Sequence, residues 1–359
     1  MIYGTLETLS GGYLYDRQLV SYLRAQGDQV EIISLPWRNY TQHLLDNFSK
    51  TLYRRLLNSA VDILLQDELN HPSLFQLNRS LSRDAEFQIV SIVHHLRSSE
   101  VHPAWQNKIY RSVERRYLQR VDGFVYNSKS TRQVVENLIG GKKPSVVAYP
   151  AGDRLHPEIS EGQIAARAKR DGPLQLLFLG NVIPRKGLHI LLDALTQIPM
   201  ARWHLTVVGS LEMDGYYADR IKRSVIANSY EGVVHFSGPL IEDDLKNVMR
   251  NSHLMIIPSS YEGFGIAYLE GMGFGLPAIA SSAGGASEII TPGVDGFLLT
   301  LENPTLLSGY LSQLIEDRDL LTRMSLAALD RYQCHPTWEE TTSRIRFYLE
   351  NMLKQKEDS

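Results

Sequence analysis

The chain has 359 residues, 43% hydrophobic and 21% charged, which suits two ordinary soluble domains with a core each. A formal net charge of −3 excludes a global basic field, so no nucleic-acid partner is expected. The single cysteine, Cys334, excludes an internal disulfide and a cysteine-built zinc site and fits a reducing cytoplasm. No apolar run reaches membrane-spanning length. No leader peptide is expected, since Met1 runs directly into Ile2-Tyr3-Gly4. The first strand pattern starts at residue 1, so a few further residues are expected ahead of it.

Short apolar runs alternate with longer amphipathic segments, the pattern of a parallel sheet covered by helices. In the first half, strands are expected at Met1–Leu6, Gln29–Ser34, Ile63–Gln66, Ile89–His94, Gly123–Asn127 and Ser145–Tyr149. Helices such as Gly12–Gln26 and Lys129–Leu138 fall between them. A polar stretch rich in Ala and charge, Glu158–Gly172, reads as a linker. A second series follows, with strands at Leu174–Gly180, His204–Gly209, Val233–Ser237, Leu254–Pro258, Pro277–Ser281 and Phe297–Leu299. The stretch Trp338–Lys354 reads as a helix. The fold class is therefore α/β, with two Rossmann-like doubly wound domains facing each other across a cleft. Ligands in such sheets bind beyond the carboxyl ends of the strands. The expected domains are 1–155, with helix 338–354 packing back on it, and 156–337.

Four loops carry the residue types that chemistry needs. Ser259-Ser260-Tyr261-Glu262-Gly263-Phe264-Gly265 follows the strand Leu254–Pro258, and a helix begins near Ile266. Gly263 and Gly265 let the backbone approach a ligand, and the helix amides suit a pyrophosphate. Glu262 before the helix and Glu270 about one turn into it can each accept hydrogen bonds from hydroxyls. Taken alone, Glu262 reads equally as a solvated loop residue and Glu270 as a cap on a buried amide. In the second loop, Gly180-Asn181-Val182-Ile183-Pro184-Arg185-Lys186-Gly187, two cations stand where a strand gives way to a helix. They can neutralise a diphosphate; the ordinary alternative is an exposed loop with two surface charges. The third, Leu9-Ser10-Gly11-Gly12-Tyr13, has the glycines for a phosphate turn but lacks the G-x-G-x-x-G and G-x-x-x-x-G-K-[ST] fingerprints. A dinucleotide or ATP site is thus poorly supported. The fourth places His94 or His95 at a strand end, where a structural histidine is the alternative. Asp67, Glu68 and His71 with His94 form a conceivable metal cluster, but their spacing matches no ligand motif. No metal is expected.

Together these stretches resemble glycosyltransferase family 4, nucleotide-sugar-dependent enzymes of the two-domain GT-B fold. Glu262 and Glu270 look like its E-x7-E signature, and Gly180 through Lys186-Gly187 like its phosphate loop. His235-Phe236-Ser237-Gly238-Pro239, Ala283-Gly284-Gly285-Ala286-Ser287-Glu288-Ile289 and Gly293-Val294-Asp295-Gly296 follow in the order the family shows. The resemblance implies residue roles. Glu270 would hold the donor ribose, and Glu262 with Gly263-Phe264-Gly265 the transferred sugar. Arg185 and Lys186 would hold the diphosphate, joined by Gly180, Asn181, Gly238, Pro239 and the amide of Gly12. His94 aligns with the family's strand-end histidine near the reacting sugar, so His94, Glu262, Arg185 and Lys186 form the expected catalytic set. Two departures stand out. Asn181 replaces an arginine the family often has after the phosphate-loop glycine. Pro150-Ala151-Gly152-Asp153 replaces an Asn-Gly pair at the end of the linker strand.

The resemblance implies retention of stereochemistry, with same-face attack by the acceptor as the diphosphate leaves. No Asp-x-Asp metal motif is present, so no cofactor is expected and the nucleotide sugar is a substrate. The alternatives are a nucleotide-sugar epimerase or a glycosidic phosphorylase on the same fold, and a catalytically silent binder or scaffold. An NAD oxidoreductase ranks below these. The expected acceptor is a sugar or a lipid-linked molecule. The segment Lys108 to Val121 reads as an amphipathic helix, with Ile109, Val113, Tyr117 and Val121 on one face and Lys108, Arg111 and Arg115 on the other. It is either a core-facing helix or a weak peripheral contact with anionic lipid. The expected location is cytoplasmic, at the inner face of the membrane.

Overall fold

The structure, a computed structural model, describes residues 1–8, 10–300 and 302–357. The chain divides into two compact units, Met1–Pro150 with Trp338–Ser359, and Ala151–Thr337.

Among the described residues the first unit holds β1 (Ile2–Tyr3), β2 (Ser34–Leu35), β3 (Ile63–Asp67), β4 (Gln88–Val93), β5 (Gly123–Tyr126) and β6 (Ser145–Val147). β3 to β6 pair in parallel in chain order, and β1 pairs in parallel with β2. The Met1 nitrogen donates to the Leu65 carbonyl at 2.7 Å and the Asp67 N–H to the Met1 carbonyl at 3.1 Å, which sets the β1–β2 pair beside β3. The lateral order is thus β2-β1-β3-β4-β5-β6, and chain direction across the sheet reverses between β1 and β3. β4 is buried from Ile89 to Val93, as a parallel strand covered on both faces must be. The helix Gly11–Ala25 is capped by Ser10 and buries Tyr15, Leu19 and Leu23, residues spaced one turn apart. The helix Trp338–Glu357 belongs to this unit: its Tyr348 hydroxyl donates to the Pro144 carbonyl at 2.9 Å, and Arg346 pairs with Asp28 at 2.8 Å.

The second unit holds β7 (Leu174–Leu179), β8 (Trp203–Val208), β9 (Val234–Gly238), β10 (Leu254–Ile257), β11 (Ala278–Ser281) and β12 (Gly296–Leu299). They form one parallel sheet in the order β12-β11-β10-β7-β8-β9. This is the doubly wound arrangement, and its direction reverses between β7 and β10, where such sheets leave a crevice for ligand.

The structure corrects the sequence reading in four places. The expected strand Gln29–Ser34 is reduced to Ser34–Leu35. The Ile33 carbonyl accepts from the Ile2 N–H at 3.0 Å, but residues 29–32 have no such bond to a strand among the described residues. They and β3 instead line a cavity of about 500 Å³. The apolar pattern was right, but a strand also needs a hydrogen-bonding neighbour along its length. The expected linker contains the helix Glu161–Ala168, started by a Ser160/Gln163 capping box and burying Ile164, Arg167 and Ala168. The division between units falls at Pro150/Ala151, ahead of the expected 155/156, because Gly152 lies flat on the helix Ile266–Gly273. A Cβ on Gly152 would stand 2.7 Å from the Leu269 Cβ. The amphipathic helix runs Ala104–Leu118 with Val113, Tyr117 and Val121 buried, but Ile109 is 45% exposed.

Arg167 shows what the polar linker pattern concealed. It is 3% exposed, and its guanidinium donates to the carbonyls of Gly275 at 2.8 Å and Arg250 at 3.3 Å, joining the ends of three segments. Truncation removes the donor to the buried Gly275 carbonyl and to the part-buried Arg250 carbonyl and opens a cavity. Arg167→Ala is therefore expected to destabilise the second unit by ~3 kcal/mol, read as a lower urea midpoint; a loss below ~1 kcal/mol would show that these bonds are replaced by water.

Candidate active site

The loops after β7 and β10 meet at the reversal point of the second sheet. After β7, Gly180 has φ +151 and Gly187 φ +74. A Cβ on Gly187 would stand 2.2 Å from the Pro258 carbonyl oxygen at the end of β10, so only glycine lets the two loops approach. Between these glycines the turn Pro184–Lys186 presents two cations. Lys186 Nζ donates to Glu262 Oε1, the Ser259 hydroxyl donates to the same oxygen at 2.6 Å, and Arg185 Nη1 stands 3.9 Å from it. Arg185 Nη1 also donates to the Tyr261 carbonyl at 2.8 Å. Burial alone would push the Glu262 carboxyl up. The charges of Lys186 and Arg185, with the bonds from Lys186 and Ser259, outweigh it and bring the pKa down to about 2. Burial lowers the Lys186 pKa, against the pull of Glu262.

Behind this pair, Gly263-Phe264-Gly265 is held by the Ala283-Gly284-Gly285 turn. The Glu262 N–H donates to the Ala283 carbonyl at 3.3 Å, and the Gly285 N–H to the Glu262 carbonyl at 2.9 Å. A Cβ on Gly284 would lie 1.9 Å from that carbonyl oxygen. Gly265 has φ +108 and starts the helix Ile266–Gly273. Glu270 on this helix is 5% exposed. Its Oε1 accepts from Arg154 Nε at 3.0 Å and from Arg154 Nη2 at 2.8 Å. Burial raises the Glu270 pKa, and Arg154 opposes that rise. Arg154 was missed in the sequence, where it is one arginine in a polar stretch far from Glu270.

The remaining expected donor residues are dispersed around these loops. Asn181 Oδ1 accepts from the Ser210 N–H at 3.3 Å, so its amide braces the loops after β7 and β8. Gly238 ends the edge strand β9 with φ +69, two strands from β7, and Pro239 beside it is exposed.

In the first unit the reversal point between β1 and β3 gathers its own cluster. Gly12 lies in the first turn of its helix against the imidazole of His94, where a Cβ would come within 3.1 Å of Cδ2. Leu9 of the same motif lies outside the described residues. His94 is 8% exposed and its Nε2 stands 3.3 Å from Asp16 Oδ1. Burial disfavours its charged form, but the bond to Asp16 and the charges of Asp16, Asp67 and Glu68 prevail and raise its pKa. Burial, then the neighbouring Asp16, push the Asp67 carboxyl up. His95 points elsewhere and meets Glu100 at 3.0 Å. The acids and histidines grouped in the sequence as one conceivable metal cluster fall into two. Asp16, Asp67 and His94 bring ligand atoms within 4.8 Å of one another, as do Glu68, His71 and Glu114. Asp16, like Arg154, carried no sequence signal.

A doubly wound sheet with paired cations and carboxylates at its switch point has the makings of an anion- and hydroxyl-binding site. Residues 160–331 match the family described as "Glycosyl transferases group 1". The match covers most of the second unit, Ala151–Thr337. Relatives include the GDP-mannose-dependent monoacylated alpha-(1-6)-phosphatidylinositol monomannoside mannosyltransferase of Corynebacterium glutamicum, 28% identical over 64% of this chain and 62% of that protein. The D-rhamnosyltransferase WbpZ of Pseudomonas aeruginosa is 30% identical over 63% and 58%. The matched segments span from 37% to 66% of the lengths of such curated relatives. Among solved structures, the sucrose-phosphate synthase of Thermosynechococcus elongatus is similar with a TM-score of 0.80, at 19% identity over 99% of this chain and 98% of that one. Anabaena HepE in complex with UDP and glucose has a TM-score of 0.75, at 19% identity over 97% and 98%. These likenesses show the GT-B fold expected from the sequence.

The depressed Glu262 pKa makes a signed prediction. Stability from this carboxylate is fully present above its unfolded value near 4.5 and is lost as pH falls toward about 2. Thermal unfolding of Glu262→Gln should therefore lag the native chain by a constant gap from pH 8 to 5. The gap should narrow only below pH 4.5; narrowing at neutral pH would contradict the Lys186 pairing.

Proposed function

We propose that the chain is a retaining, metal-independent glycosyltransferase that moves a hexosyl group from a nucleotide-diphosphate sugar to an acceptor hydroxyl. The observation that carries this reading is the meeting of Arg185, Lys186, Glu262 and the helix start at Ile266 on the switch point between β7 and β10. The diphosphate lies against Arg185, Lys186 and the helix amides, which neutralise charge as it leaves. Glu262, kept ionised, accepts hydrogen bonds from hydroxyls of the transferred sugar, and Glu270 from those of the ribose. As the bond from the anomeric carbon to the diphosphate oxygen breaks, the acceptor oxygen bonds to that carbon from the same face. The acceptor proton passes to the departing diphosphate oxygen. His94, whose proton affinity its acidic neighbours raise, stands on the acceptor side as a hydrogen-bonding group. HepE, of the same fold and bound to UDP and glucose, supports a nucleotide-sugar donor.

A panel of UDP- and GDP-sugars, read by thermal shift and then by donor hydrolysis, tests this. One donor should stabilise the native chain. Glu270→Ala should weaken its binding ~10- to 100-fold, and Lys186→Ala should lower turnover ~100-fold or more. Binding without any turnover, with acceptors present, would favour a silent nucleotide-sugar binder. No binding at all would sink the reading.

For the acceptor we propose a sugar or lipid-linked molecule met at the inner membrane face. The mannosyltransferase relative, whose name gives it a phosphatidylinositol mannoside, is consistent with this. No helix among the described residues is long and apolar enough to cross a membrane. The outer face of the helix Ala104–Leu118 instead exposes Trp105 (63%) and Ile109 (45%) one turn apart, among exposed Lys108, Arg111, Arg115 and Arg116. An aromatic and aliphatic pair ringed by cations suits an anionic lipid surface. The chain should sediment with phosphatidylglycerol vesicles at low salt and be released by Trp105→Ser or by high salt. Absence of salt-sensitive binding would remove the membrane from the account.

A further inference from the structure

Glu270 is assigned to the ribose above, yet a buried carboxylate is useful only if ionised and if one oxygen faces the ligand in a fixed direction. Arg154 opposes the rise in proton affinity that burial causes and supplies the fixed direction. Its Nε and Nη2 converge on Oε1 alone, and among the described residues no hydrogen bond reaches Oε2. The planar fork thus fixes the plane of the carboxylate and leaves one oxygen for a hydroxyl pair. The arginine is itself fixed by its backbone. Two residues earlier, Gly152 lies on the helix Ile266–Gly273, where a Cβ would be 2.7 Å from the Leu269 Cβ and 2.9 Å from the Glu270 nitrogen. One residue later, Leu155 is fully buried. The short helix Asp153–Leu155 that carries Arg154 ends at His156, whose φ of +44 turns the chain away. The arginine side chain is about a third exposed while its partner is buried, so the ion pair lies at the edge of the donor site.

Resting on the donor reading above, we propose that Arg154 is a positioning residue for ribose recognition: it holds Glu270 so that Oε2 receives the ribose hydroxyls, and so sets the preference for ribonucleotides over nucleotides lacking those hydroxyls.

Titration calorimetry on the full chain with UDP and GDP, each beside its 2′,3′-dideoxy analogue, separates the two ideas. The native chain should prefer the ribose form ~10- to 100-fold. Arg154→Gln should bring that ratio to within ~3-fold of unity while leaving dideoxynucleotide affinity unchanged, and Arg154→Lys should restore part of it. Retained dideoxynucleotide binding also reports that the variant is folded. If the native chain binds both forms equally, the ribose role of Glu270 fails and this inference falls with it. If the native chain discriminates and Arg154→Gln discriminates as strongly, the donor reading stands and the role of Arg154 is overturned. Tighter ribonucleotide binding by Arg154→Gln also overturns it, since Arg154 would then be a competitor for the carboxylate. Should Arg154→Gln bind neither form, Arg154→Lys decides: an undiminished ratio rejects the proposal and a reduced one supports it.

Discussion

Keeping Glu262 ionised at the end of a buried strand constrains most of the second unit. A lone carboxylate there would take up a proton, so a cation must reach it from a neighbouring loop. That cation is Lys186, and it can arrive only because β7 and β10 lie side by side in the doubly wound order. Gly187 beside the Pro258 carbonyl and Gly284 beside the Glu262 carbonyl then follow, because any Cβ would separate the backbones that bring the pair together. The loop glycines are thus consequences of one electrostatic requirement.

The two carboxylates of the E-x7-E stretch share a helix start and differ in environment. Glu262 has an ammonium and a hydroxyl on one oxygen, and its pKa falls to about 2. Glu270 is more deeply enclosed and faces a single guanidinium, and its pKa rises. Identical side chains eight positions apart in sequence are set to different proton affinities by their surroundings. A stable anion beside the cations suits a sugar hydroxyl held next to a diphosphate, and a carboxylate steadied from one side suits a ribose.

The strands of the second unit were legible because a parallel sheet buried on both faces leaves near-continuous apolar runs such as Leu174–Leu179 and Leu254–Ile257. Glu262, Lys186 and the glycines were legible because each lies just after such a run. Arg154 and Asp16 were not. Their partners stand 116 and 78 residues away, and local spacing carries no trace of contacts made by folding. The helix Glu161–Ala168 was hidden for a related reason: one of its core-facing residues is Arg167, a charge that polarity alone assigns to solvent. In residues 29–33 the pattern was read correctly and the element was still absent, since hydrogen bonding belongs to a pair of strands and not to one segment.

The titratable side chains at the two reversal points differ in kind. The reversal point of the first sheet gathers Asp16 and Asp67 around His94, and that of the second gathers Arg185 and Lys186 around Glu262. Burial raises the proton affinity of Asp67 and of the adjacent Glu68 in the first unit, whereas Glu262 in the second is held as an anion by its two cations. The acids of the first unit raise the proton affinity of His94 against the effect of its burial. Two parallel sheets thus differ in character through the few side chains at their reversal points.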